Sequence, residues 1–357
     1  MPTRRTLLAG LAASGLVPGM SWAALGNPVA VSAARQEDGS FALLGLDRDG
    51  AITFAIPLPG RGHAAGAHPH LAEVVAIARR PGTFAMVIDC ASGDLRQTIE
   101  APAGRHFYGH GAFSGSGDLL FTTENDIATG DGRIGVWDRT DGYRRIGEFA
   151  SGGIGPHEIL RMPQGTLAVA NGGIRTHPDS GREKLNLDSM RPNLTVLSLD
   201  GEVIDSAELP DAQRQNSLRH IAVQSDGTLA CGFQWQGDPY DVPPLLALYR
   251  DDGSLSPVAM PDEMLMGFDG YVGSVSTLGT DGFAASSPRG GRAVVFDTRG
   301  TVMAEHLASD VCGLSPRGAE NALATDGFGS VFSIGAAGLT PLAKHPVAFD
   351  NHLVPVG

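Results

Sequence analysis

Positive charge is scarce in this chain: 26 lysines and arginines stand against 39 aspartates and glutamates, a formal charge of −13 at neutral pH. So acidic a composition argues against binding nucleic acid or anionic lipid, which need clustered Lys and Arg. Cysteine is nearly absent, with Cys90, Cys231 and Cys312 alone. An exported chain permits a disulfide, but three is an odd number and the spacings match no zinc-ribbon pattern. Cys90 and Cys231 read as small buried apolar residues. Beyond the N-terminal stretch no apolar run approaches membrane length, which predicts no membrane span. Also missing are convincing amphipathic helices, a P-loop, a dinucleotide fingerprint and a serine-nucleophile signature; the many Gly-x-Gly fragments fall in turns. Neither the Trp-docking repeat nor the adjacent cysteine pair of a quinoprotein is visible.

The one long apolar stretch comes first, in "MPTRRTLLAGLAASGLVPGMSWAALG". Arg4 and Arg5 precede an uncharged run over 7–20, and Ser21-Trp22-Ala23 forms an A-x-A-like cleavage site. This predicts an export signal over 1–23, too short and wrongly flanked for a transmembrane helix. The pair Arg4-Arg5, followed by Leu7-Leu8, resembles the twin-arginine type. That route carries proteins already folded, often with a cofactor inserted. The expectation is a periplasmic or secreted protein of residues 24–357, without Trp22 and at −15 once Arg4 and Arg5 are gone.

What the chain does have is glycine, 49 residues of it, punctuating short β-rich runs. Such runs separated by Gly, Asp and Pro turns indicate an all-β fold. The first three are 28–34, 40–46 and 51–58; a second group covers 71–78, 83–89 and 94–100, and others begin near 106, 154, 217, 270 and 311. Each group holds about four short strands over roughly 40–60 residues, the period of propeller blades. The phrases "AFSGSGDLLFTT", "ILRMPQGTLAVA", "IAVQSDGTLACG", "VSTLGTDGFAAS" and "LSPRGAENALAT" repeat one pattern, an apolar strand, a turn and a second apolar strand. The N-terminal group lacks its inner strand, and the terminal "NHLVPV" supplies it. The prediction is a single seven-bladed β-propeller, closed by pairing the C-terminal strand with the N-terminal ones. A polar insertion over 172–191 interrupts the fourth blade, and a loop that long marks a functional excursion over one face.

Aligning the blades puts His110, His157, His220 and His352 at one place, the start of the innermost strand. His110, His157 and His220 each lie seven or eight residues before a turn glycine, Gly117, Gly165 or Gly227. Inner strands line the axial channel, so these imidazoles should meet at its mouth. The second blade offers His63, His68 and His70, of which His68 or His70 fits the fifth place better. The remaining blades bring Gly273 or Ser274, and Cys312 or Gly313, to the same level. Converging imidazoles suit copper, iron, zinc or nickel, and a nearby Cys312 thiolate favours copper or zinc. Channel histidines that bind only water are the alternative. Glu158, beside His157, is a candidate for orienting an imidazole, acting as a base or adding an oxygen ligand, although strand alternation points it away from the axis and favours no role. His106 suits a supporting role at the entrance; His306 and His345 fall on outer strands or turns. On the insertion, Arg175, His177, Asp179, Arg182 and Lys184 are candidates for a lid or for contacts to a partner.

The phrase "GGIRTHPDSGREKLNL" (172–187), with "GPHEI" before it, resembles an uncharacterised bacterial family, domain of unknown function 1513. The likeness extends from the signal to the terminal strand. It implies an exported propeller encoded beside imelysin-type and dihaem-peroxidase-like iron-uptake genes. The role implied is periplasmic iron or copper handling, with periplasmic components of a metal-uptake system as partners. The family has no established catalytic residues to carry over. A more distant likeness is to the histidine-lined propeller of nitrous-oxide reductase, which holds a multicopper cluster. That enzyme uses more axial histidines and an electron-transfer copper domain not present here, so the likeness implies an axial metal and not that reaction. Three functions follow as expectations: a monomeric metal-binding propeller for iron or copper, a metalloenzyme at the same site, or a metal-free interaction scaffold. Calcium is disfavoured because imidazoles stand where carboxylates would be needed.

Overall fold

A computed structural model describes residues 20–78, 80–181 and 183–356. Over these residues seven antiparallel sheets follow one another along the chain, six of four strands and one of five. They form a seven-bladed β-propeller whose blades two to seven span 65–100, 105–150, 156–208, 216–257, 274–307 and 311–344. Blade one combines Ala30–Gln36, Phe41–Leu46 and Ile52–Leu58 with the late segments Val347–Phe349 and Val354–Pro355. The inner strands touch in ring order, the segment Val354–Pro355 lying between the inner strands of blades seven and two.

The sequence pattern explains the layering. Second strands such as Glu73–Ile77, Leu167–Asn171 and Ala322–Asp326 are buried along their whole length. They are covered by a neighbouring blade on each face, which is why they read as continuous small or apolar runs rather than alternating ones. Outer strands such as Arg144–Ala150 carry charge and stay largely exposed. Seven hydrophobic clusters result, one at each interface between adjacent blades. The interface of blades seven and one joins Leu323 and Val331 to Ala30, Leu44, Phe349 and Leu353.

The expected closure is observed. Ala34 pairs with Phe349 and Val31 with Val354, so the first strand has a partner on both sides and the ring is closed. Gly117, Gly165 and Gly227 all have φ between 82° and 93°, the left-handed conformation that turns an inner strand into the next.

Two features depart from simple blades. Inner strands are bulged where the axial residues sit: the register shifts between Phe107 and Gly111, Pro156 and Ile159, Leu218 and His220, and Val311 and Leu314. A bulge re-aims side chains that strict alternation would send to opposite faces. In addition, Trp22 packs in the interface of blades one and two, and its indole N–H donates to the His68 carbonyl at 3.0 Å. The expected signal peptide falls mostly on residues 1–19, outside the described residues; in the uncleaved chain Trp22 belongs to the fold. Among the described residues no helix is long and apolar enough to cross a membrane.

In an antiparallel blade the start of the first strand and the loop between the second and third share one end. The insertion, which leaves the second strand of blade four at Asn171 and rejoins at Asn193, therefore lies on the face where the inner strands begin.

Candidate functional site: an axial histidine cluster

Five consecutive blades each send one histidine to the axis: His352, His63, His110, His157 and His220. Ring centroids are 4.6 Å apart for His110 and His157, 4.9 Å for His110 and His352, and 5.1 Å for His157 and His220. His220 and His352 lie 5.3 Å apart and His63 and His352 4.7 Å. The ligand nitrogens of His63, His110 and His352 all lie within 4.8 Å of one another. Blades six and seven contribute no imidazole at this level; Gly273 and Cys312 stand there instead, close enough that a β-carbon on Gly273 would sit 2.7 Å from the Cys312 sulfur.

The fifth ring is His63, and neither His68 nor His70. The inner strand of blade two is only Ala65–Ala67, so His63 lies in the loop ahead of it. Its position is secured by Gly109, which has φ of 100° and whose missing β-carbon would lie 2.4 Å from His63 Cδ2. His68 does turn work: its Nδ1 accepts from the amides of His70 and Leu71, while its ring packs on Phe113. Burial, first, and then the charge of Arg139 lower its pKa to about 4. His70 is exposed, with Nε2 3.0 Å from the Gly115 carbonyl oxygen. Cys312 stays beside the cluster, its thiol donating to the Asn351 carbonyl at 3.4 Å, and burial pushes its pKa well above the ordinary value.

Two of the rings are oriented by partners. His157 Nδ1 lies 3.1 Å from the Arg219 carbonyl oxygen, to which it donates, leaving Nε2 with its lone pair. His220 Nδ1 lies 3.3 Å from Glu158 Oε2, and the same oxygen accepts from the Ile221 amide at 3.0 Å. Glu158 thus reaches across to the next blade, against the alternation rule, because it shares the bulge with His157. Burial, then the proximity of His110, Arg219, His220 and His63, holds the His157 pKa well below the usual histidine value. Its ring is therefore neutral at pH 7, the form that coordinates metal. Hydroxyls fix the supporting backbone: the single Thr123 O–H is shared between the carbonyls of His110 and His157, and Ser32 donates to that of His352.

The cluster divides the axial channel. On one side is a polar recess of about 110 Å³, lined by Tyr108, Tyr271 and Gln234 among others. On the other is a more apolar cavity of about 340 Å³, lined by Ala64, Gly111, Ile221, Ser274 and Leu353 among others. His106 lies off the axis, Nδ1 3.0 Å from the Phe107 carbonyl oxygen and Nε2 3.2 Å from the Asn125 amide nitrogen. Of the insertion residues, Arg175 is turned toward Gly130 in blade three and His177 accepts from the Asp179 amide at 3.2 Å, so both brace local structure. Asp179 is exposed, Lys184 lies within electrostatic reach of Arg80, Arg219 and Arg289, and Arg182 lies outside the described residues.

Fold and site together define a propeller with a histidine-lined axis. Residues 56–356 match the model of a protein family of unknown function, DUF1513, and the chain belongs to that family. No curated protein matches the sequence. Among solved structures, one titled "Crystal Structure of Mitotic Checkpoint Complex" matches with a TM-score of 0.57 at 13% identity, over 80% of each chain. A second, "Streptogramin B lyase structure", matches with a TM-score of 0.55 at 11% identity, over 90% of this chain and 93% of that one. At such identities the likeness is one of fold alone.

Proposed function

We propose that this protein is a metal-binding propeller that holds a transition metal ion, copper or iron in first place and zinc as a third choice, at its axial histidines. The observation that carries the reading is the convergence of five imidazoles, with the nitrogens of His63, His110 and His352 within 4.8 Å of one another. Two nitrogens bound to one ion at about 2.1 Å can be at most about 4.2 Å apart, so small side-chain rotations suffice to close the site. His157 and His220 each have Nδ1 engaged, by the Arg219 carbonyl and the Glu158 carboxylate, as metal-ligating histidines do when their other nitrogen binds the ion. Neutral imidazoles fit copper, iron and zinc and do not fit calcium.

The cellular role that goes with this site is acquisition or handling of iron or copper in the periplasm, reached by the twin-arginine route, as a monomer working with components of a metal-uptake system. A second reading, a metalloenzyme performing redox chemistry or metal-assisted hydrolysis, is favoured by one feature. Gly273 and Cys312 stand in place of imidazoles on the blade-six and blade-seven side, so a bound ion would keep a coordination position for water or substrate.

Titration of the metal-free protein with Cu(I), Cu(II), Fe(II) and Zn(II) in a non-coordinating buffer tests the proposal. Tight, stoichiometric binding that is lost in His110→Ala and His352→Ala supports it; no binding of any of these ions sinks it. Turnover of peroxide or a quinol by the loaded protein selects the enzymatic reading. Export is tested separately, by fractionation of cells expressing the chain with Arg4→Lys and Arg5→Lys.

A further inference from the structure

The mouth above the histidines carries charge of the opposite sign to the rest of the chain. Arg61, Arg80 and Arg219 line the recess over His63, His157, His220 and His352, while Asp350 is the single carboxylate among the lining residues. Asp350 is 2.7 Å from the Arg61 guanidinium. Arg289 lies over the Tyr271 ring, 4.4 Å from its centroid, and adds its charge at the rim. In a protein of formal charge −13 this concentration of guanidinium groups is local and directed.

The fold builds the concentration on purpose-shaped ground. Arg80 and Arg289 belong to loops between second and third strands, the insertion is a third such loop, and Arg219 occupies the bulge beside His220. Arg219 packs under the first residue of the insertion: a β-carbon on Gly172 would lie 3.2 Å from its Cζ. Lys184, on the insertion, has its pKa lowered by partial burial and then by Arg219, Arg289 and Arg80, so the field of the recess reaches it.

We infer that this recess is a binding site for a small multivalent oxyanion, carrying carboxylate or phosphate groups, seated directly above the histidine cluster. Guanidinium forks pair with the planar oxygens of such groups in two-point fashion, and the two tyrosines and Gln234 supply further polar contacts. A bare divalent cation approaching through this mouth meets repulsion; a metal carried as an anionic complex meets attraction. The metal would therefore reach the histidines with an anionic chelator, which remains in the recess beside it. The chelator's part rests on the metal-binding proposal, whereas the anion site stands without it.

The test uses metal-free wild-type protein at pH 7.5 with citrate and inorganic phosphate as probes, measured by calorimetry at low and high salt. Expected are dissociation constants below 1 mM for at least one probe, weakened at least tenfold between 0.05 and 0.5 M NaCl. Arg219→Gln and Arg80→Gln should each weaken binding tenfold or more; melting curves of both variants establish that they fold, and Arg80→Gln stands alone should Arg219→Gln disturb the insertion. Tighter citrate binding assigns a carboxylate ligand and tighter phosphate binding a phosphate; either supports the site. Failure of both probes to bind, or equal binding by Arg80→Gln and wild type, overturns it. Metal titration of the wild type in parallel separates the two ideas: metal without anion binding defeats this inference alone, and anion without metal binding defeats the metal proposal alone.

Discussion

Leu353 offers a direct measure of how ring closure and site assembly are linked. It follows His352, is buried in the interface of blades seven and one, and lies so close to Gly313 that a β-carbon there would sit 3.1 Å from its Cγ. Leu353→Ala removes three buried carbons from a seam that forms only when the chain's late segments dock on Ala30–Gln36. Buried leucine-to-alanine changes cost about 2–5 kcal/mol, and about 3 kcal/mol is expected here. For a chain of this size the unfolding entropy is roughly 0.7 kcal/mol per kelvin, so the melting temperature should fall by about 4 °C. Leu248→Ala is the control, since Leu248 is equally buried but lies in the interface of blades five and six, on a third strand away from the axis. Both variants should lose similar stability by calorimetry and urea denaturation. Only Leu353→Ala should also weaken metal binding, because His352 loses the packing that fixes it. A cost below about 1 kcal/mol, or equal loss of metal affinity in the control, refutes the link.

Gly109→Ala forces a side chain into left-handed backbone and against His63; a cost of about 2 kcal/mol is expected, with weaker metal binding and no gross change in circular dichroism. Unaltered stability would show that His63 does not sit where described. Glu158→Gln should lower metal affinity about 10–100-fold, the range for outer partners of ligating histidines, while leaving the fold intact because the amide still offers an acceptor to the Ile221 N–H; an unchanged affinity argues against the carboxylate as the group that orients His220. His68 has its pKa depressed to about 4 by burial, against about 6.5 unfolded. The unfolded chain then takes up the proton first, so the neutral ring's contribution is complete above pH 6.5 and falls by about 3 kcal/mol as pH drops to 4. His68→Asn, which keeps an acceptor for the turn amides, should flatten the stability profile in that window; an identical slope in both proteins defeats the assignment.

The blade count and the closure were legible because second strands, buried on both faces, leave unbroken apolar runs between turn glycines. Three of the axial histidines were legible because their distance to Gly117, Gly165 or Gly227 repeats. His63 keeps the same distance, eight residues, to Leu71, but the turn there carries no glycine and blade two's inner strand is three residues long. His68 occupies instead the turn position that Ser114 fills in blade three, each giving its N–H to a carbonyl five residues on. Glu158 was misjudged by the alternation rule, which a bulge suspends at that residue. The basic recess could not be read at all, since Arg61 and Arg80 from blade two and its leading loop meet Arg219 of blade five and Arg289 of blade six only when the ring is complete.

The central claim is a metal at the axis, and the metal content of protein isolated from its native compartment tests it most directly. Elemental analysis should find copper, iron or zinc at one or more atoms per chain in the wild type. The ion should be lost in a folded variant carrying His63→Ala, His110→Ala and His352→Ala together. Wild-type protein that is metal-free as isolated and takes up none of these ions in titration, or a triple variant that keeps its metal, would contradict the account.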